Sequence, residues 1–295
     1  MNGRQATAIA RPSVAPAERS EPPVMEISGG PGRVSADSFR ELWHFREVLW
    51  AFVVRQVKVR YKQALIGVGW AVLQPVLAAA LFAVFLGRLS GVASEGAPYL
   101  LFALAGMIAW TFFSGAVGTG SDSLVAQQTL LRKLYFPREI LPVSALGVAF
   151  LDLVMGLCVL VVVGSAYGTY PHLSWIAFAL PFAPLALFAA ASALALSAIN
   201  VYYRDVRYAL PFLLQVGLFA SPVAYSLSVV PGDWRTAYAI LNPVAAAIDG
   251  VRKIFVHGTW PDFTLLGAAT AWSLALVVVA FAFFKRLERG FADRV

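Results

Sequence analysis

Long runs of apolar residues, nearly free of charge, constrain this chain more than any other feature. About 20 such residues in a helix cross a hydrocarbon core of about 30 Å. Blocks of that kind predict six crossings, at about 65–86, 98–118, 140–164, 173–199, 208–228 and 264–284. With no water at that depth, each backbone polar group must be paired within its own segment, so an all-α integral membrane fold is expected. Composition agrees: 59% of the residues are hydrophobic and 13% charged, where a soluble domain carries about a quarter charged. One membrane domain spanning 39–290 is the expected unit, between a disordered tail at 1–38 and a short tail at 291–295.

The net charge of +7 raises nucleic acid as a partner, but the basic residues flank the apolar blocks, where a membrane protein places them. Ten Lys and Arg precede the first span, three lie in 119–139, two in 200–207 and four at the C-terminus; the other side holds Arg88, Arg235, Arg252 and Lys253. That bias puts both termini in the cytoplasm. The first 38 residues contain no apolar signal-peptide core. Cys158 is the single cysteine, so no disulfide framework is expected.

Two stretches between spans have patterns of their own. From Phe39 to about Tyr61, Leu42, Phe45, Leu49, Phe52, Val53 and Val57 share one helical face, with Arg46, Arg55 and Lys58 elsewhere. This predicts an amphipathic helix lying in the interface plane. Thr236–Ile248 is apolar but only 13 residues long, and Asn242-Pro243 interrupts it. A re-entrant hairpin of two short helices is expected there, one ending near Leu241 and the next capped by Asn242 with Pro243 in its first turn. Irregular backbone at membrane depth must border protein or a water-filled cavity, so the hairpin is expected to border a passage.

Motifs for chemistry on this chain are missing. It contains no Gly-Lys dipeptide, which excludes a P-loop, and no HExxH, paired-cysteine or GxSxG pattern. No enzyme activity and no metal site are therefore expected; His44, His172 and His257 are far apart in sequence. Asp152 is the one acid near the middle of a span, a place for helix packing through a hydrogen bond or for a transport path. Arg55, Lys58, Arg60 and Lys62 cluster before the first span and suit anionic lipid in general or a pyrophosphate-bearing lipid in particular. In 122–139, Leu124, Leu130, Leu131 and Leu134 suggest a short helix with one apolar face, while Arg132, Lys133 and Arg138 would face phosphates or an acidic partner, or only fix topology. Trp70, Phe82, Phe85, Phe102, Trp110, Phe112, Phe113, Phe212, Phe219 and Tyr225 could face lipid or stack on sugar rings. Pro75, Pro181, Pro184, Pro211 and Pro222 predict kinks, and Ser114, Gly115 and Gly118 predict close helix contact. Asp205 is expected to pair with Arg204 or Arg207, and Asp249 with Arg252 or Lys253.

Four separated strings carry a resemblance. RYKQALIGVGWAVLQPVL at 60–77, LLRKLYFPREILPV at 130–143, NVYYRDVRYALPFLLQVGLFASPVAY at 200–225 and LNPVAAAIDGVRKIF at 241–255 resemble, in order, ABC-2 type permeases that export polysaccharides. Among these the chain looks most like the O-antigen lipopolysaccharide exporters, with teichoic-acid and capsule exporters as near relatives. The resemblance implies a homodimer in the bacterial inner membrane, joined to two copies of a separate ATPase that binds ATP and Mg, with no cofactor on this chain. It also implies that helix 39–57 and loop 122–137 dock the ATPase, with Leu130, Arg132, Lys133, Tyr135, Phe136 and Arg138 as coupling residues. Loop 58–66 would meet a lipid-pyrophosphate head through Arg55, Lys58, Arg60 and Lys62. Spans one, two and five would line the glycan path with Trp70, Phe82, Phe85, Phe102, Trp110, Phe212, Phe219 and Tyr225. The 236–256 hairpin, with Asn242, Pro243, Asp249 and Arg252, would be the outer gate. Two other classes remain open on the residues alone. One is an ion-driven secondary transporter, which needs more coupling acids and a repeat; the other is a membrane enzyme acting on lipid-linked sugars.

Overall fold

The computed structural model of the chain describes residues 43–62, 69–89, 91–92, 94–131, 133, 136–170 and 172–291. Expectations for residues 1–42, 63–68, Arg132, Leu134, Tyr135 and 292–295 lie outside the described residues. The regular elements described are all helical: α1 Arg46–Lys62, α2 Gly69–Phe82, α3 Tyr99–Ala126, α4 Ile140–Ala166, α5 Phe182–Tyr202, α6 Val206–Ala220, α7 Gly232–Leu241, α8 Pro243–Val251 and α9 Phe263–Glu288. Two helices run on with π-type winding, α2 through Ala83–Leu89 and α8 through Arg252–Val256.

Five helices are long and apolar enough to cross a membrane: Gly69–Leu89, Tyr99–Ala126, Ile140–Ala166, Leu173–Tyr202 (α5 with the turn before it) and Phe263–Glu288. The chain is a multi-pass membrane protein. The expected fifth span, 208–228, is cut short, because α6 has 15 residues and ends at Ala220. The cause is local. A residue before proline is pushed out of the helical region, and Ser221, which precedes Pro222, is extended at φ −97°, ψ 150°.

Helix α3 is the hub. Every residue from Leu101 to Trp110 is buried, as expected of a helix that is apolar all round. It is also longer than the span at 98–118, so Leu124, expected in the following loop, is fully buried inside α3. The loop is correspondingly shorter and holds one helical turn, Gln128–Leu131. Lipid supplies no hydrophobic drive between helices, so close backbone approach matters more. The tight crossing falls at Gly120, where a Cβ would lie 2.6 Å from Ala193 Cβ, whereas nothing comes within 4 Å of a Cβ at Gly115. Of the five prolines, Pro75 and Pro211 lie inside helices, Pro181 and Pro184 begin α5, and Pro222 follows α6.

At one end of the bundle, α1, the 136–141 stretch, α5 and α9 share an apolar cluster containing Phe52, Phe136, Ile140, Leu194 and Phe284. Phe291, placed in the C-terminal tail by its sequence position, is fully buried in that cluster. We refer to this as the basic end, since the last turn of α9 brings Lys285 and Arg286 to it.

Candidate functional site

The apolar face of α1 packs on the bundle: Phe52 and Val53 are buried, with Phe45, Val48 and Leu49 beside them. Its course differs from that of a helix lying in an interface plane. Val53 sits against Gly147, where a Cβ would come within 2.6 Å of Val53 Cγ2. Gln56 Nε2 donates to Ser144 Oγ at 2.6 Å. Arg60 Nη2 is 3.1 Å from Asp152 Oδ2, and the Tyr61 hydroxyl donates to Asp152 Oδ1. Asp152 lies about 18 Å along α4 from Ile140 at 1.5 Å per residue. The last turn of α1 therefore reaches half-way along α4, and it does so because a carboxylate inside a span demands partners. Burial, reinforced by the Asp152 hydrogen bond, pushes the Tyr61 hydroxyl up to about 12, so it stays a donor.

Beside this contact a cavity of about 570 Å3 opens between α1 and the basic end of α3. Arg55, Gln56, Arg60, Thr119, Asp122 and Gln127 line its polar side, and Val59, Ala126 and Val148 its apolar side. Arg55 Nη1 donates to Gln127 Oε1 at 3.2 Å. Asp122 Oδ1 accepts from Arg207 Nε at 3.1 Å and Asn200 Nδ2 at 3.0 Å. Arg207 thus pairs with Asp122 across 85 positions, not with its neighbour Asp205. Of the four expected head-group residues, Arg55 and Arg60 line the cavity, Lys58 lines an adjoining hollow that shares Arg55 and Val59 with it, and Lys62 is exposed.

The opposite end is organised around Arg252. Its guanidinium is buried and donates to three carbonyls: Nε to Phe102 at 3.1 Å, Nη1 to Tyr225 at 3.0 Å and Nη2 to Val223 at 2.6 Å. It also lies 3.4 Å over the Phe102 ring. Burial lowers its pKa to about 9, which leaves it charged at neutral pH. The non-helical stretch after α6 is satisfied in this way, carbonyl by carbonyl. Ala224 accepts from the Tyr99 hydroxyl, and Ala220 from the Tyr238 and Tyr225 hydroxyls. Burial, with Tyr225 close by, raises the Tyr238 pKa and keeps it a donor.

The break between two short helices falls where expected, with α7 ending at Leu241 and Pro243 opening α8. Asn242 does not cap α8 with its side chain; its Nδ2 donates to Ser221 Oγ at 3.0 Å, tying the hairpin to the end of α6. Asp249 pairs with Lys253 at 2.8 Å. Gly106 makes room for the arginine, since a Cβ there would lie 2.8 Å from Val223 O and 3.0 Å from Arg252 Nη2. Gly106→Ala is therefore expected to lower stability by about 1–3 kcal/mol, as overpacking does. Thermal unfolding of the purified chain in detergent measures it, with Gly115→Ala as the near-neutral comparison.

The family described as ABC-2 type transporter matches residues 47–256, a stretch that takes in both the cavity and the hairpin. The chain belongs to that family. An O-antigen export system permease protein, RfbA, of Myxococcus xanthus is 30% identical over 257 residues, covering 87% of this chain and 98% of the relative. Two proteins of the same name from Klebsiella pneumoniae are 25% and 23% identical, each over 256 residues that cover 85% of this chain and 96% of the relative.

In this ABC-2 transporter chain the aromatics divide by depth. Trp70, Phe85, Phe212 and Phe219 are exposed on α2 and α6, and Phe82 and Tyr225 are half-buried. Phe102 and Trp110 are buried in the bundle, Phe102 under Arg252 and Trp110 against Gly217, so neither offers a ring face at the surface of the chain. Among the residues expected to couple to an ATPase, Phe136 is buried with its ring 5.4 Å from that of Phe52, and Leu130 packs at the edge of the same cluster. Arg138 turns inward, donating to Glu288 O at 3.2 Å and lying over Phe291; Lys133 is exposed. Tyr61, Gln56, Asp122, Gln127 and the Glu139–Lys285 pair belong to these sites and were not singled out by sequence. The i, i+4 spacing of Gln56 and Arg60 was the available signal, because it puts both on one face of α1.

Proposed function

We propose that this chain is the permease subunit of an ABC exporter that moves a lipid-linked polysaccharide, of the undecaprenyl-pyrophosphate-linked O-antigen type, across the bacterial inner membrane. A separate ATPase subunit, holding ATP and Mg, supplies the energy. Similarity to O-antigen export permeases along 98% of a relative carries this reading. The absence of a P-loop from the sequence supports a separate motor.

The basic end and both termini face the cytoplasm on this reading, which the charge bias supports. There the amphiphilic cavity suits the ligand: Arg55 and Arg60 can bind phosphate oxygens, and Val59, Ala126 and Val148 the first prenyl carbons. The ATPase docks on α1 and the 127–139 segment, and the Phe52–Phe136 contact passes its closure to α1. α6, with the α7–α8 hairpin behind it, completes a sixth, irregular crossing whose outer end the hairpin closes. Two copies pair through the exposed faces of α2 and α6, where Trp70, Phe85, Phe212 and Phe219 meet the passage.

Arg55→Ala with Arg60→Ala is expected to cut O-antigen reaching the cell surface at least tenfold while the complex still assembles and hydrolyses ATP. Surface glycan immunoblotting reads the first quantity and ATPase activity of the purified complex the second. Unchanged export in an assembled complex would remove the head-group role of the cavity.

A further inference from the structure

We propose that Asp152 is a resident competitor for the anionic head group at Arg60, and so sets how weakly the cavity holds a pyrophosphate. This rests on the head-group reading of the cavity given above. The geometry is one of two approaches to a single guanidinium. The Arg60 side chain is 42% exposed and lines the cavity, whereas that of Asp152 is 5% exposed and lies on α4. A ligand in the cavity meets Arg60 directly and has no comparable route to Asp152.

The other charged and polar partners at the cavity act differently. Arg55 is held by the neutral amide of Gln127. Asp122 is engaged by Arg207 and Asn200. Asp152 is therefore the carboxylate that a phosphate must replace at Arg60. The exchange does not strip Asp152 of every partner, because the Tyr61 hydroxyl still donates to its other oxygen. Such an arrangement suits a carrier, in which a site must bind well enough to load and weakly enough to release. When the lipid leaves, the carboxylate returns to Arg60 and no bare guanidinium is left behind.

The test titrates the purified full-length chain in detergent with farnesyl pyrophosphate and, separately, with inorganic pyrophosphate, by calorimetry. Asp152→Asn, which keeps the side-chain shape and an acceptor for Tyr61, is expected to tighten farnesyl pyrophosphate about tenfold. Arg60→Ala is expected to lose most binding, and adding Asp152→Asn to Arg60→Ala to restore none of it. Tyr61→Phe loosens the same helix contact without touching the competing charge and is expected to give no gain. Should Asp152→Asn not be recovered folded, Asp152→Ser serves in its place.

Equal affinity of wild type and Asp152→Asn would overturn the competitor role and leave the head-group reading standing. So would an equal gain from Tyr61→Phe, since loosening alone would then explain it. Wild-type binding that survives Arg60→Ala would overturn the head-group reading itself, as would a gain confined to inorganic pyrophosphate.

Discussion

Arg252→Met is expected to destabilise the chain by about 3–5 kcal/mol, as breaking a buried, hydrogen-bonded charge contact does. Methionine fills much of the volume but leaves the carbonyls of Phe102, Val223 and Tyr225 without the donor they now share. An unpaired buried acceptor costs about 1–3 kcal/mol, so the Val223 and Tyr225 carbonyls account for most of the figure, while Phe102 O keeps its place in the α3 ladder. The loss also has a place. The 221–226 stretch has few backbone partners of its own, and without Arg252 it separates from α3 and the hairpin loses its seat. Thermal unfolding in detergent is expected to show a fall of roughly 10 °C or more, with Arg252→Lys intermediate because an ammonium cannot span three divergent carbonyls. A midpoint unchanged by Arg252→Met would mean that the hairpin is held by something else.

Lys285→Met is expected to cost a similar amount, about 3–5 kcal/mol, at the basic end. Lys285 Nζ lies 2.9 Å from Glu139 Oε1 and 3.0 Å from Glu288 Oε2, and Glu139 is fully buried. Burial pushes the Glu139 carboxyl above its ordinary value against the pull of Lys285. Removing the ammonium strands that carboxylate. Lys285→Met combined with Glu139→Gln is therefore expected to recover a large part of the loss, because the stranded charge goes with its partner. A double variant no more stable than Lys285→Met alone would contradict the pairing. The pair joins the segment before α4 to the end of α9, so Lys285→Met is also expected to uncouple glycan export from ATP hydrolysis in the assembled complex.

Much of this fold was legible because lipid leaves few options. Apolar length located five spans, and Asn242-Pro243 marked the break between α7 and α8, since proline opens a helix without needing its N–H. The fifth span was misjudged because apolar length overrode Pro222, whose effect on Ser221 ends the helix. Aromatic depth could not be read, since apolar length alone does not tell the buried Phe102 and Trp110 from the exposed Trp70 and Phe85. The two central arginines were legible as charges and not as contacts. Arg252 finds Phe102 across 150 positions, and Arg60 finds Asp152 on a helix that the 3.6-residue pattern assigned to a different layer. Amphipathicity identifies the face that is buried; it does not say whether lipid or α4 covers it.

On the function proposed above, this chain is a passage for a pyrophosphate-linked glycan and its motor lies on another subunit. Proteoliposomes containing the chain with or without its co-purified ATPase test it most directly, by scoring ATP-dependent movement of a prenyl-pyrophosphate-linked glycan across the bilayer. No ATP hydrolysis and no glycan movement are expected with the chain alone, and both with the complex. ATP hydrolysis by the chain alone, or glycan movement that an ion gradient drives without ATP, would contradict it.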